Sequence, residues 1–170
     1  RDVIPFLAVT KDRNRHVAWI ISSLLNLNCY LEYTGISHND ISVDTYFISS
    51  IYHSGALLGG WEYASFLGKK LHALPKSTIN LISPKILSSK ITSRSINREL
   101  IRNVGRSLLG DETGLRLKGF APEPMIDWLR CSFVKDAYED YKLWGEVLKK
   151  SFGPRRFVKM EIATNTIYGK

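Results

Sequence analysis

The chain has 170 residues, 44% of them hydrophobic, and a formal net charge of +8. This length supports one domain around a single core, and the hydrophobic content excludes a chain that stays disordered. No apolar run approaches the roughly 20 residues of a membrane span, and the first residues lack the pattern of a signal peptide. We therefore expect no membrane segment and a cytoplasmic location.

The cysteine pattern favours the same compartment. Cys29 and Cys131 each lie within an apolar helical pattern, and C-x-x-C spacing is absent. This pattern predicts two buried thiols in a reducing environment and no metal site built from cysteine and histidine.

The strongest predicted element is a helix from Arg15 to Thr34, because apolar residues recur there at intervals of three and four. Asn14 is the predicted cap of this helix, and Gly35 is its predicted C-terminal stop. Before the helix, residues 1–13 form a lead-in that contains a short apolar run, Ile4 to Val9. The breadth of the apolar stripe predicts a helix that is buried on much of its surface.

Two short β-prone runs follow, Thr45 to Ile48 and Ala56 to Leu58, and the turn between them contains Gly55. Together they predict one hairpin. Residues 73–84 carry two prolines and residues 88–95 are rich in Ser and Thr, so both stretches are predicted to be irregular.

Three further helices are predicted after this region. The first runs from Ile96 to Leu109, with Ser95 as its cap and Gly110 at its end. The second has Pro124 in its first turn, and the third runs from Ala137 to Lys150. Their predicted apolar faces contain, in turn, Met125, Ile126, Leu129 and Phe133, and then Tyr138, Tyr141, Trp144 and Leu148.

These elements predict a mainly α fold with one small β-hairpin, organised as a single domain over residues 1–170 with a basic tail at 155–170. The tryptophans fall at helical spacings without interleaved basic residues, which favours core positions over a base-stacking platform. They are Trp19, Trp61, Trp128 and Trp144.

Acidic residues are scarce between Thr45 and Gly110, where only Glu62 and Glu99 carry negative charge. The basic residues of this interval occur singly or in pairs. Such a pattern is compatible with a solvated basic face and also with a surface that binds nucleic acid.

The motif that carries chemistry is His38-Asn39-Asp40, which lies between the long predicted helix and the hairpin. This order of elements resembles the protein-kinase-like superfamily, whose catalytic loop reads H-x-D-x-x-x-x-N. The resemblance covers most of the chain as a C-terminal, helical lobe without an N-terminal nucleotide lobe. It implies that Asp40 holds the position of the catalytic base, which accepts the proton of a substrate hydroxyl, and that His38 is structural.

The resemblance also places the nucleotide and metal loops of the family at Asn39, Thr45, Gly59, Gly60 and Glu62. Here the chain departs from the family pattern. Thr45 stands where the family has a magnesium-binding Asn, and Gly59-Gly60-Trp61-Glu62 stands where an Asp-Phe-Gly or Asp-Trp-Glu motif is expected. No Asp occurs between Asp44 and Asp111, so we expect no metal site here.

Three hypotheses follow from this comparison. The first is a pseudokinase lobe that lacks metal-dependent transfer, needs no cofactor and binds a protein partner. The second is the C-terminal part of an active phosphotransferase, with ATP and Mg²⁺ as cofactors, whose nucleotide lobe lies outside this chain. The third is a basic nucleic-acid-binding or structural protein, which a steep salt dependence of binding would reveal.

Overall fold

The computed structural model describes residues 12–49, 52–131 and 134–156. Within them, the fold is mainly α-helical with two small antiparallel sheets. In chain order the elements are α1 (Arg13–Tyr33), β1 (Ile36–Ser37), β2 (Tyr46–Ser49), β3 (Ser54–Leu57), a 3-10 turn (Trp61–Tyr63), β4 (Ser65–Phe66), α2 (Lys76–Ile79), α3 (Pro84–Ser89), α4 (Ser95–Leu109), α5 (Glu123–Arg130) and α6 (Ala137–Phe152).

Helix α1 is the centre of the core, because it packs against both α4 and α6. Its stripe residues Val17, Ile21 and Leu24 are fully buried, as the broad apolar pattern predicted. Gly105 of α4 lets α1 and α4 approach closely, because a Cβ at this position would lie 2.9 Å from Cδ1 of Ile21 on α1. The predicted end of α1 is confirmed, because Gly35 adopts a φ of +77° after the last helical turn.

Helix α6 runs antiparallel along α1. The indole Nε1 of Trp144 donates to Oγ of Ser22 at 2.8 Å, and one end of α6 meets Cys29 through a hydrogen bond from its thiol to the Ala137 carbonyl. At the other end, the guanidinium of Arg15 lies over the ring of Phe152. Helices α4 and α6 therefore both pack on α1 within a mainly α fold.

The predicted hairpin is present as β2 and β3, which pair from Tyr46 opposite Leu57 to Ser49 opposite Ser54. The second sheet was not predicted. In it, β1 pairs with β4, which follows the hairpin in sequence, with Ser37 opposite Ser65. Each of these strands has only two residues, which is too short to show a period of two in the sequence.

Several local predictions were wrong. Asn14 does not cap α1, since Asp12 holds the cap position, and the Asn14 amide donates to the carbonyl of Phe120 at 2.8 Å. Ser95 is the first helical residue of α4 and not its cap. Residues 73–84 and 88–95 are less irregular than predicted, because α2 follows Pro75 and α3 begins at Pro84, and proline is tolerated where a helix starts.

Burial differs from prediction on the outer surface. Cys131 is exposed because α5 ends at Arg130, one residue before it. Tyr138 and Tyr141 are exposed although they share a helix with the buried Trp144. Trp61 is 45% exposed, so it is not a core residue.

The run Ile4 to Val9, Phe133 and most of the basic tail lie outside the described residues. Among the helices that are described, none has the length and apolarity needed to cross a bilayer.

Candidate functional site at the loop of residues 38–45

The loop of residues 38–45, called the site loop below, is held from beneath by a buried asparagine of α4. Oδ1 of Asn97 accepts hydrogen bonds from the main-chain N–H groups of His38 and Asn39, each at 3.1 Å. Its Nδ2 donates to Oδ1 of Asn28 on α1 at 2.9 Å. All four residues are buried, so this network joins the two central helices to the loop away from water.

Asn39 turns its side chain into the protein. Its Nδ2 donates to the carbonyl of Tyr63 at 2.8 Å and to Oγ of Ser65 at 2.7 Å, while its Oδ1 accepts from Oγ of Ser37. Its backbone has a φ of +67°, which asparagine tolerates better than most residues. Asn39 thus fixes β4 to the site loop, and its amide is fully used inside the fold.

His38 is buried and packs against the following segment, with its ring in an edge contact with Trp61 at 4.6 Å between centroids. Its Nδ1 accepts from the N–H of Asp40 at 3.3 Å. Burial lowers the pKa of His38, against smaller raising effects of the Gly59 main chain and Glu62. The imidazole is therefore neutral near pH 7 and carries its proton on Nε2.

Thr45 closes the site loop. Its Oγ1 donates to the main-chain carbonyl of Asp40 at 2.6 Å and accepts from the N–H of Ser42 at 2.9 Å. Its own carbonyl accepts from the N–H of Leu58, at the end of the hairpin. The Thr45 hydroxyl thus stabilises the site loop through hydrogen bonds to its main chain.

The carboxyl group of Asp40 is the exception in this network. It receives no hydrogen bond from the described residues, although its main-chain N–H and C=O are both paired. Burial raises the pKa of Asp40, and the negative charges of Glu62 and Asp44 raise it further. A carboxylate with these properties can accept a proton or face a ligand.

Gly60 lies directly against this carboxylate. Its φ is +78°, and it starts the 3-10 turn that follows the hairpin. A Cβ on Gly60 would lie 2.6 Å from Oδ2 of Asp40 and 2.9 Å from Cε1 of His38. Gly59 is different, since a Cβ there would make an ordinary contact of 3.6 Å with Cγ2 of Thr45. Glycine is therefore required at position 60 and not at position 59.

The acidic groups near Asp40 do not form a metal site. Glu62 and Asp44 are exposed and act on Asp40 through their charge. Among the described residues, no group of three His, Cys, Asp or Glu side chains is placed to hold a metal ion. Of the seven residues predicted for the site, the structure brings together His38, Asp40 and Gly60 most closely.

Sequence reasoning missed the residues that position the loop. Asn28 and Asn97 hold its base, although the helical pattern gives neither of them a functional role. A signal was available, because each occupies a position on the apolar stripe of its helix, and a buried polar group needs a partner.

Comparison with family models, curated proteins and solved structures gives no significant match to this chain. The functional interpretation therefore depends on the geometry of the site loop and its surroundings.

Proposed function

We propose that this chain is a kinase-like helical lobe without phosphotransfer activity, a pseudokinase module that binds a protein partner. The order of its elements supports the proposal. A long buried helix, α1, leads into a His-x-Asp loop, and a two-stranded hairpin follows. Strand β4, which follows the hairpin, pairs with β1, which directly precedes the site loop. This pairing brings the residues that resemble the family's catalytic loop next to those that resemble its metal-binding loop.

The observation that carries the proposal is the contact between Gly60 and Asp40. The family needs a carboxylate at this place to hold the Mg²⁺ that bridges the phosphates of ATP. Here the position is a glycine with a left-handed φ, and the space that a side chain would take is filled by Asp40 and His38. The chain thus keeps the position of the catalytic base beside a place that excludes a metal carboxylate.

The remaining polar groups of the loop also do not fit magnesium. The Thr45 hydroxyl donates to the carbonyl of Asp40, and the Asn39 amide is hydrogen-bonded inside the fold. Glu62 and Asp44 are both exposed, and they act on Asp40 through their negative charge. Without a bound cation, the charge that develops during phosphoryl transfer is not neutralised, so no transfer step is assigned to these residues.

Thermal unfolding with ATP, in the presence and absence of Mg²⁺ or Mn²⁺, tests the proposal. A ligand that binds only the folded state adds about 2.7 kcal/mol of stability at 100 times its dissociation constant, which is easily detected. We expect no shift for this chain or for any longer chain that contains it. A metal-dependent shift in the longer chain, with transfer abolished by Asp40→Asn, would instead support an active phosphotransferase.

A further inference from the structure

The surface beside the site loop is formed by a stretch without any acidic residue. Residues 63–98 contain no Asp or Glu, and they are called the acid-free segment here. The segment includes the end of the 3-10 turn, β4, α2, α3 and the start of α4. Its exposed basic side chains are Lys69, Lys70, Lys76, Lys85, Lys90 and Arg94.

The acid-free segment is fastened to the site loop at two points. Oγ1 of Thr78, on α2, donates to the carbonyl of Asn39 at 2.9 Å. On the other side, Oγ of Ser65 both accepts from the Asn39 amide and lies 2.8 Å from Oγ1 of Thr92. The acid-free segment is therefore attached to the site loop through the main chain and the side chain of Asn39.

Part of this surface is organised by main-chain pairing. The N–H of Leu71 donates to the carbonyl of Lys90, and the N–H of Thr92 donates to the carbonyl of Lys69, each at 2.8 Å. The pairing sets Lys70 opposite Ile91 in an antiparallel bridge, so these two side chains share one face. Lys70 therefore lies beside Ile91, which is 49% exposed, and Lys69 and Lys90 adjoin this pair in sequence.

Other apolar side chains of the segment are also exposed, namely Phe66 at 64% and Ile79 at 41%. Exposed apolar side chains beside positive charges can offer a partner both apolar contact and ion pairs. Two features favour a protein over a nucleic acid. The exposed cations are mainly lysines, whereas arginine is the better phosphate fork, and the apolar groups are two isoleucines and one aromatic ring, which do not make a base-stacking platform.

We infer that the acid-free segment is the docking surface of the module and that its occupant is an acidic protein segment carrying apolar side chains. Charge complementarity selects the occupant: carboxylates pair with the lysines while an apolar side chain covers Ile91. The inference rests on the proposed function, since it names the surface and the chemistry of the partner that the module would bind.

Fluorescence anisotropy of the wild-type chain tests this inference with a labelled peptide of alternating Glu and Leu residues. A peptide with Gln in place of Glu and a single-stranded DNA of matched length serve as comparison probes. We expect the Glu-Leu peptide to bind at low salt and more tightly than either comparison probe, and the binding to weaken as salt screens the charges.

Two double variants with equal net charge separate a local site from general attraction. Lys69→Glu with Lys70→Glu should weaken peptide binding by about tenfold, because two cations of the surface become repulsive. Lys118→Glu with Lys149→Glu changes exposed lysines outside the segment and should leave binding within about twofold of wild type. Circular dichroism and urea unfolding check that both variants remain folded.

Ile91→Ser tests the apolar part of the surface. It should weaken binding of the Glu-Leu peptide even at the high salt concentration where charge contributes least to binding. Absence of peptide binding, equal loss in both double variants, or tighter binding of the DNA would each overturn the inference. These outcomes are independent of the ATP experiment. Peptide binding together with a metal-dependent ATP shift would overturn the proposed function and leave the docking surface standing.

Discussion

Asp140 and Asp40 carry the same carboxyl group in opposite surroundings. Asp140, on α6, is fully buried, and both its oxygens accept hydrogen bonds from Arg102 at 2.8 Å. The indole of Trp128 donates to the same carboxylate at 2.9 Å. Asp40 is partly buried in a loop whose backbone is fully braced, yet its own carboxyl group has no donor among the described residues.

The Asp140 carboxylate has a structural role, whereas the Asp40 carboxylate does not link elements of the fold. Asp140 joins α4, α5 and α6, because Arg102 and Trp128 come from the other two helices. Asp40 holds nothing together, and the fold nevertheless fixes its position through Asn97, Thr45 and Gly60. A carboxyl group that is fixed in place although its ionised form costs stability is a candidate functional group.

The sharpest way to break this comparison is to remove the structural carboxylate. Asp140→Ala should lower the free energy of unfolding by about 3–5 kcal/mol, because the guanidinium of Arg102 stays buried without its partner. Asp127→Ala, at an exposed position of the neighbouring helix, should change it by less than about 0.5 kcal/mol. Urea unfolding measures both values. A loss below about 1 kcal/mol for Asp140→Ala would show that this ion pair does not hold the lobe together.

Replacing Asn97, which holds the site loop, should cause the second largest loss in the free energy of unfolding. Asn97→Leu leaves the N–H groups of His38 and Asn39 buried without an acceptor and should cost about 2–4 kcal/mol. Asn97→Asp should cost less than half as much, because a carboxylate still accepts both bonds and the unpaired Nδ2 of Asn28 can turn toward it. Equal losses in the two variants would contradict this role of the Asn97 oxygen.

Alanine substitutions at Gly59 and Gly60 form a matched pair, and their effects on the free energy of unfolding should be smaller. Gly60→Ala should cost about 1–3 kcal/mol, because its φ is left-handed and its Cβ would strike Asp40. Gly59→Ala should change the free energy of unfolding by less than about 1 kcal/mol, since its Cβ meets Thr45 at an ordinary distance. Similar losses at both positions would remove the observation that supports an inactive site.

The smallest effect is expected from Asp40 itself. Its pKa is raised in the folded state, so the folded protein binds the proton more tightly than the unfolded chain does. Ionisation therefore costs stability as the pH rises through the folded pKa, and the cost is absent below the unfolded pKa. Asp40→Asn should stabilise the fold at pH 7 by less than about 1 kcal/mol, since water screens part of the effect.

The pH dependence gives the control for this prediction. The advantage of Asp40→Asn over wild type, measured by urea unfolding, should disappear below about pH 4, where the wild-type carboxyl is protonated in both states. A variant that is less stable than wild type at pH 7 would show that Asp40 has a structural partner.

Much of the fold was predictable from local patterns. The apolar periods at Arg15 to Thr34 and Ile96 to Leu109 gave α1 and α4 to within two residues, and the β-prone runs gave the hairpin. The motif His38-Asn39-Asp40 also identified the loop that the fold places at the junction of its two sheets. Its kinase-like function stays a prediction.

The roles within that loop could not be predicted in the same way. The oxygen that fixes His38 belongs to Asn97, 59 residues further along the chain, and the hydroxyl that holds Asn39 belongs to Thr78, 39 residues further along. Cys131 and Trp61 show the same limit for burial, since an apolar pattern does not say which residues remain covered once helices end and loops cross.

The sequence by itself determined the four longest helices, the ends of α1 and α4 at Gly35 and Gly110, and the absence of an Asp between Asp44 and Asp111. Helix formation and helix termination depend on residues that are close in sequence, so they can be predicted from the sequence alone. Only the tertiary structure decided that the Asp40 carboxyl group lies against Gly60 with no hydrogen-bond donor among the described residues, while Asp140 accepts three hydrogen bonds. The environment of a carboxylate is set by groups that are distant in sequence and meet only in the packed fold.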